Sequence, residues 1–315
     1  MGYFDVLAAS VLFGITPALS ALLQRNGWSS NSIILNNEIF GALYLFCLIR
    51  LRGLSLRAKW RAVLAAAGIG GAAFWGTNML LQLSYVYLPN PGIATVFHFT
   101  YPIFVMLMMA ALFRERITPV KSVCMLLAMC GMLLLSDVSG GVGEYRLFFL
   151  GAAVATASGI TYAIYIIATG KSAARVLPSS VLTFYVLVGG AACNLVYTII
   201  SARRFQISLE GWNAVYALIT PACSFLALTL IAEGIHRIGP TRAAAINMLE
   251  PVAALLISAL VFRDGSLTPR TVFGSVLILA GTGVISVLKE PPRKKRTDPQ
   301  NQSKRRNENE LSGTL

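Results

Sequence analysis

Ten apolar runs, each long enough to cross a lipid bilayer, dominate this sequence of 315 residues. A membrane-spanning helix needs about 20 consecutive residues that are mostly apolar. The runs cover residues 4–24, 30–50, 62–85, 91–113, 119–136, 146–169, 180–200, 211–234, 240–262 and 270–288. Because only short connections separate them, the sequence predicts an all-α integral membrane protein with ten transmembrane helices.

Composition and charge exclude several other classes of protein. Hydrophobic residues make up 56% of the chain and charged residues only 12%, whereas soluble proteins carry about 25% charged residues. The net charge is +13, but the basic residues lie in connections and in the C-terminal tail. A nucleic-acid-binding protein would need a solvated basic face with interleaved aromatic residues, so we predict no nucleic-acid partner.

The distribution of basic residues predicts the orientation in the membrane. Connections on the cytoplasmic side of membrane proteins are enriched in Lys and Arg, and the connection after the second run holds Arg57, Lys59 and Arg61. The tail adds two basic clusters, which begin at Arg293 and Lys304. We therefore predict a multi-pass protein of the cell (plasma) membrane with both termini in the cytoplasm.

The last residues, 290–315, differ abruptly in composition from the rest. They are rich in Arg, Lys, Asn, Glu and Gln, which predicts a disordered basic cytoplasmic tail. Two interpretations of its basic clusters stay open. They either bind anionic membrane lipids or serve only to set the topology.

The two halves of the chain resemble each other at a constant offset of 149 residues. Residues 91–113 align with 240–262, so that Pro91 matches Pro240 and Pro102 matches Pro251. Each half has five runs, and consecutive copies of a unit with an odd number of spans enter the membrane in opposite orientations. The sequence therefore predicts two inverted five-helix repeats, at 1–137 and 146–289. Since both repeats are in one chain, we expect a functional monomer.

The ends of the two aligned runs carry a family resemblance. Tyr101-Pro102 leads to Phe113-Arg114-Glu115, and Glu250-Pro251 leads to Phe262-Arg263-Asp264. With the ten runs and the duplication, the chain resembles the EamA-type branch of the drug/metabolite transporter superfamily from residue 1 to about 289. This resemblance implies a basket of ten helices around a central cavity between the repeats. It also implies export of amino acids, metabolites or drugs, driven by protons or by exchange.

A few polar residues within the runs are candidates for function. An ionisable group inside a membrane is costly and is usually functional, which singles out Glu38, His98 and Glu250 as coupling candidates. The offset of 149 aligns His98 with Asn247 and Tyr101 with Glu250. In each half the two residues are three apart and share one helix face. We predict that His98, Tyr101, Asn247 and Glu250 bind a small-molecule substrate, although each could instead be a hydrogen-bonded structural group.

Two further sets of polar and aromatic residues are candidates for the substrate site. Trp75, Asn78 and Gln82 recur at i, i+3 and i+7 in the third run, so they lie on one face that either lines a cavity or joins helices by hydrogen bonds. Tyr162 and Tyr165 in the sixth run offer aromatic surface, which serves either substrate stacking or packing.

Small residues recur at every fourth position in two stretches. These are Gly68, Ala72 and Gly76, and Gly151, Ala155 and Gly159. Such stripes let helices approach closely, so we predict packing contacts at both. The phosphate-binding pattern G-x-x-x-x-G-K-[ST] is absent from the sequence. We therefore predict no ATP site, no other cofactor and, since the cysteines form no C-x-x-C pair, no metal.

Two alternatives to a transporter differ in what they require. An integral-membrane enzyme needs a catalytic set at one membrane face, whereas the two histidines, His98 and His236, lie in different runs. A membrane protein without a substrate would tolerate apolar residues at both His98 and Glu250.

Overall fold

The computed structural model describes residues 1–88, 91–136, 145–201, 205–262 and 267–287, and every regular element in them is helical. Eight helices are long and apolar enough to cross a membrane, and two shorter apolar helices cover Pro119–Leu135 and Pro269–Ile285. A bilayer core offers the backbone no hydrogen-bond partners, which a helix supplies internally. These elements confirm an all-α membrane protein, and they correspond one for one to the ten predicted runs.

The helices are bounded as follows. They are α1 (Gly2–Arg25), α2 (Ser30–Leu51), α3 (Trp60–Gly68), a π-helical segment (Ile69–Trp75), α4 (Gly76–Tyr87), α5 (Pro91–His98), α6 (Tyr101–Phe113), α7 (Pro119–Leu135), α8 (Tyr145–Lys171), a 3₁₀ turn (Ala173–Val176), α9 (Ser179–Ile200), α10 (Asn213–Ile238), α11 (Pro240–Asn247), α12 (Glu250–Phe262) and α13 (Pro269–Val287). The third span therefore consists of α3, the π-helical segment and α4. The fourth and ninth spans are each divided into two helices. The predicted basic tail lies outside the described residues.

The helices that form the bundle contact each other in corresponding ways in the two halves. α1 packs against α10, α11 and α12, while α8 packs against α4, α5 and α6. Two further contacts, between α2 and α9 and between α7 and α13, also join the halves.

One of the two predicted glycine stripes is wrong. A Cβ atom on Gly68 or Gly76 would meet nothing within 4 Å, and Ala72 is exposed. The tight contact is made instead by Gly70, whose Cβ would overlap the backbone of Val186 on α9. The π-helical segment has more residues per turn than an α-helix, so it rotates a different set of positions toward α9. The other stripe is confirmed, since Gly151 packs against Leu88 and Gly159 packs against the His98 carbonyl group.

The two ends of the bundle differ in the chemistry of their contacts. At the end that holds the N-terminus, Arg237 pairs with Asp5 at 3.4 Å and with Glu233 at 2.7 Å. Lys121 pairs with Glu115 at the same end, at 3.1 Å. At the opposite end, contacts between the halves include hydrogen bonds to backbone carbonyl oxygens: the Trp28 indole N–H donates to Ser208 at 2.7 Å, and the Arg270 guanidinium donates to Ser136 at 2.7 Å.

Candidate functional site

The fourth and ninth spans break at equivalent places. α5 ends at His98 and α6 begins at Tyr101, while α11 ends at Asn247 and α12 begins at Glu250. Every bound of the second pair of helices lies 149 residues after its counterpart in the first. Pro102 and Pro251 have no N–H to donate to the carbonyl groups of residues 98 and 247, so the same proline position interrupts both helices.

The residue that ends the first helix of each pair contacts a serine on a neighbouring helix. His98 Nδ1 lies 2.9 Å from Ser158 Oγ on α8. Asn247 Oδ1 lies 3.1 Å from Ser10 Oγ on α1. Both breaks are thereby fixed to the helix that packs beside them.

Asn247 connects the two breaks. Its Nδ2 group donates to the Tyr101 hydroxyl and to Glu250 Oε2, both at 3.1 Å. The Tyr101 hydroxyl in turn lies 3.3 Å from the Ala244 carbonyl oxygen, to which it donates. One amide therefore binds polar groups from both halves of the chain at the two helix breaks.

Aromatic rings surround these polar groups. The Tyr101 and Tyr162 rings meet edge to face with their centroids 4.7 Å apart, and Tyr162 stacks on Tyr165 at 5.6 Å. The His98 ring lies 5.8 Å from Tyr101 and 5.6 Å from Tyr162. The structure thus brings together six of the predicted site residues, and we call them the central cluster: His98, Tyr101, Tyr162, Tyr165, Asn247 and Glu250.

The central cluster is closed in this conformation. Tyr101 and Asn247 are 0% exposed and Tyr165 is 1% exposed, so these side chains pack against one another. Glu250 is only half-buried, and it stands in the first turn of α12, where the helix dipole favours a negative charge. A ligand that reached the rings would first have to displace the helices at the breaks.

A family model matches the chain on both sides of this site. The EamA-like transporter family matches residues 1–137 and again residues 149–287. The chain belongs to the EamA-like transporter family. This assigns a multi-pass membrane protein to a family of membrane transporters rather than to a family of enzymes.

Individual relatives agree with the family. An uncharacterized transporter of Synechocystis is 30% identical over 222 residues, which cover 68% of this chain and 64% of that protein. This match therefore spans a little less than two thirds of the relative's length. The threonine/homoserine exporter RhtA of Escherichia coli is 28% identical over 70% of this chain and 71% of its own. A solved crystal structure shares the fold, with a TM-score of 0.71 at 16% identity, over 91% of this chain and 96% of its own.

Two of the predicted site residues in this EamA-like protein, Trp75 and Asn78, make contacts outside the central cluster. The Trp75 ring meets the Tyr197 ring edge to face at 5.7 Å, beside a groove of about 410 Å³ that is also lined by Cys193 and Val196. Asn78 donates to the Phe74 carbonyl oxygen of its own helix at 3.0 Å. Trp75 is the last residue of the π-helical segment, and its ring faces α9 rather than the central cluster. A shared cavity lining of Trp75, Asn78 and Gln82 stays a prediction.

Glu38 lies in a separate place, between α2 and α9. Its Oε2 atom accepts a hydrogen bond from Asn194 Nδ2 at 3.3 Å. Sequence reasoning did not single out Asn194, nor the serines at positions 10 and 158. Asn194 is the only amide side chain in α9 and was a usable signal, whereas single serines are too common in membrane helices to indicate a site.

Proposed function

We propose that this EamA-like protein is a secondary transporter that exports small, amino-acid-like metabolites from the cytoplasm. Transport would be driven by protons or by exchange of one solute for another. The protein would act as a monomer in the plasma membrane, with both termini in the cytoplasm. The ion pairs at the end that holds the N-terminus agree with this orientation, because charged contacts are expected where cationic connections collect.

Two inverted repeats underlie the proposed mechanism. Support comes from the equal offset of all helix bounds in the fourth and ninth spans and from the corresponding contacts of α1 and α8. The family model also matches two separate stretches of similar length. In transporters built from inverted repeats, the site lies near the midplane, where helices are interrupted. The central cluster occupies such an interruption in both halves.

One observation carries the proposal, namely the pair of hydrogen bonds that Asn247 makes across the two breaks. A substrate that competes with Asn247 for the Tyr101 hydroxyl would break the hydrogen bond between the two halves, and Glu250 stands beside this bond as a partner of the same amide. Binding would then change the contact between the halves, which is what a transporter needs if the site is to open to each side in turn.

The chemistry of the central cluster suits a substrate with an ammonium group. Glu250 supplies a carboxylate, and the faces of Tyr101 and Tyr162 attract cations. The relative RhtA is named for threonine and homoserine, and both compounds carry an ammonium group beside a carboxylate. We therefore take threonine and homoserine as the first compounds to test.

The proposal is tested by measuring extracellular threonine and homoserine from cells that express the wild type, Glu250→Gln or Glu210→Gln at equal membrane levels. Glu210 is an exposed glutamate in the connection before α10, so it is a matched control for loss of one carboxylate. We expect the wild type and Glu210→Gln to raise extracellular amino acid, and Glu250→Gln to lose this effect. Equal export by all three proteins would remove Glu250 from the site.

A further inference from the structure

Glu38 is a carboxyl group within the membrane that the central cluster does not use. It is 1% exposed and lies on α2, facing α9. A Cβ atom on Gly190 of α9 would lie 2.6 Å from Glu38 Oε1, so the carboxyl group packs directly against this glycine and would have to shift if a larger residue replaced it. Among the described residues Oε1 has no hydrogen-bond partner.

A line of buried polar groups leads from Glu38 to one end of α2. Asn194 donates to Glu38, and Thr198 Oγ1 donates to the Asn194 carbonyl oxygen at 2.8 Å. Asn31 Nδ2 then donates to Thr198 Oγ1 at 2.9 Å. Asn31 is the second residue of α2, two helical turns before Glu38, which is about 10 Å along the helix axis. We call Asn31, Thr198, Asn194 and Glu38 the α2–α9 polar line.

The polar line begins beside hydrogen bonds that join the two halves of the chain. The Gln206 backbone N–H donates to Ser32 Oγ at 3.1 Å, and the Ser29 backbone N–H donates to the Gln206 carbonyl oxygen at 3.3 Å. The proposed topology places this end of the bundle outside the cell. The polar line therefore runs inward from the outer surface to Glu38, in an otherwise apolar interface.

No cationic side chain accompanies Glu38 in the described interface. From α9 it is faced by Asn194 and Gly190, and the sequence of α9 contains no charged residue or histidine. The other helices that pack on α2 are α1 and α10, and their charged and histidine side chains lie toward the helix ends. They are Asp5 and Arg25 on α1, and Glu233, His236 and Arg237 on α10; on α2 itself, Arg50 lies near the C-terminal end. An ionised carboxylate with a single amide donor is very costly in such a place, so the group is stable there only with a proton.

We infer that Glu38 is a proton-binding site, loaded from the outer surface along the α2–α9 polar line and separate from the central cluster. One proton from the outer solvent binds the carboxylate when α2 and α9 move apart, and the neutral acid is retained when they close. This inference rests on the proposed exporter function for its direction. It assigns the driving ion as H⁺, which enters at Glu38 as substrate leaves from the central cluster.

The first test measures the proton itself and needs no substrate. Infrared difference spectra of the purified full chain in detergent, between acid and alkaline buffers, report the carbonyl band of protonated carboxyl groups. We expect such a band in the wild type and in Glu250→Gln, and the loss of the Glu38 part of it in Glu38→Gln, in which a neutral side chain of the same shape replaces the acid while the other carboxyl groups still contribute. A spectrum of Glu38→Gln that keeps the whole band would overturn the inference, whether or not the protein transports amino acids.

The second test separates coupling from substrate movement. In proteoliposomes, labelled threonine is measured both in exchange without a pH gradient and in net transport driven by a gradient. We expect Glu38→Gln to keep exchange but to reduce gradient-driven transport to the level without a gradient. Thr198→Val, which breaks the polar line, should slow gradient-driven transport several-fold. Thr220→Val is the control. Thr220 is a buried threonine whose hydroxyl donates to the Tyr216 carbonyl oxygen of its own helix, so its replacement should leave the rate of gradient-driven transport unchanged.

The outcomes of the second test distinguish the two proposals. Gradient-driven transport by Glu38→Gln at the wild-type rate overturns the proton site but leaves the exporter standing. If a folded Glu38→Gln protein loses both exchange and gradient-driven transport, the proton site is also overturned, because Glu38 would then be needed for substrate movement itself. If the wild type moves no threonine, the choice of substrate fails, and the infrared result alone decides about Glu38.

Discussion

Asn247 is the side chain on which the central cluster depends most. It is fully buried and has polar partners on α1, on α6 and in the first turn of α12. Replacing it with alanine removes the only amide that reaches both Tyr101 and Glu250 among the described residues. We expect Asn247→Ala to lower the free energy of unfolding by about 1–3 kcal/mol, because buried polar partners lose their hydrogen bonds. Thermal unfolding of the detergent-solubilised protein measures this loss, and an unchanged midpoint would contradict this hydrogen-bond network.

Tyr162 lies in the middle of the aromatic rings of the central cluster. The ring contacts His98, Tyr101 and Tyr165. We therefore expect Tyr162→Phe to retain near wild-type stability and amino-acid export. Tyr162→Ala leaves a cavity among three rings and should cost about 3 kcal/mol. Thermal unfolding and export of the two variants, compared side by side, would reveal a role for the hydroxyl if Tyr162→Phe behaved like Tyr162→Ala.

Sequence reasoning found most of the central cluster for a physical reason. Polar side chains are rare within apolar spans, and the offset of 149 is enough to pair His98 with Asn247 and Tyr101 with Glu250. The sequence could not assign their partners, because contacts with serines on α1 and α8 depend on how those helices pack. It also placed Trp75 with the cluster, since helical periodicity assumes a regular α-helix and the π-helical segment breaks that assumption.

Glycines determine how closely the helix segments approach, and two of them form a matched pair for a test. A Cβ atom on Gly159 of α8 would lie 2.6 Å from the His98 carbonyl oxygen, whereas one on Gly76 would meet nothing within 4 Å. We expect Gly159→Ala to destabilise the protein by about 1–3 kcal/mol through overpacking. Gly76→Ala should instead be neutral or stabilise it by up to about 1 kcal/mol, because alanine favours the helix.

The thermal unfolding midpoints of these two variants give the comparison. Export should also fall in Gly159→Ala, because the added methyl group pushes against the residue that ends α5. If the two substitutions had the same effect on the midpoint, the close approach of α8 to the break in the fourth span would be contradicted.

The helix breaks themselves were only partly predictable. Pro251 is visible in the sequence, and it favours an interruption of the ninth span because it removes a backbone donor. The same chemistry at Pro102 explains the break in the fourth span. The π-helical segment had no comparable signal, since its geometry follows from the contact between Gly70 and Val186 on a different helix.

The orientation of the whole bundle can be tested with single cysteines. In a background without the five native cysteines, Glu210→Cys and Ser55→Cys place a thiol in exposed connections at opposite ends of the bundle. We expect a membrane-impermeant maleimide to label position 210 in intact cells and position 55 only after permeabilisation. The reverse pattern would place both termini outside and would reverse the direction assigned to the α2–α9 polar line.

The two proposed sites belong to different parts of the bundle. The central cluster lies where the fourth and ninth spans break, and Glu38 lies between α2 and α9. Both places are contacts between the two halves of the chain. A change in how the halves pack would therefore affect the proposed substrate site and the proposed proton site together, without a direct bond between them.

The exchange of labelled threonine by purified protein in proteoliposomes tests the central claim most directly, with wild type, Glu250→Gln and Glu210→Gln compared at equal protein content. Exchange requires only that substrate binds and that the loaded site opens to both sides, so it reports the site without the driving ion. We expect exchange by the wild type and by Glu210→Gln, and its loss in Glu250→Gln. Exchange by Glu250→Gln at the wild-type rate would contradict the assignment of the substrate site to the paired helix breaks.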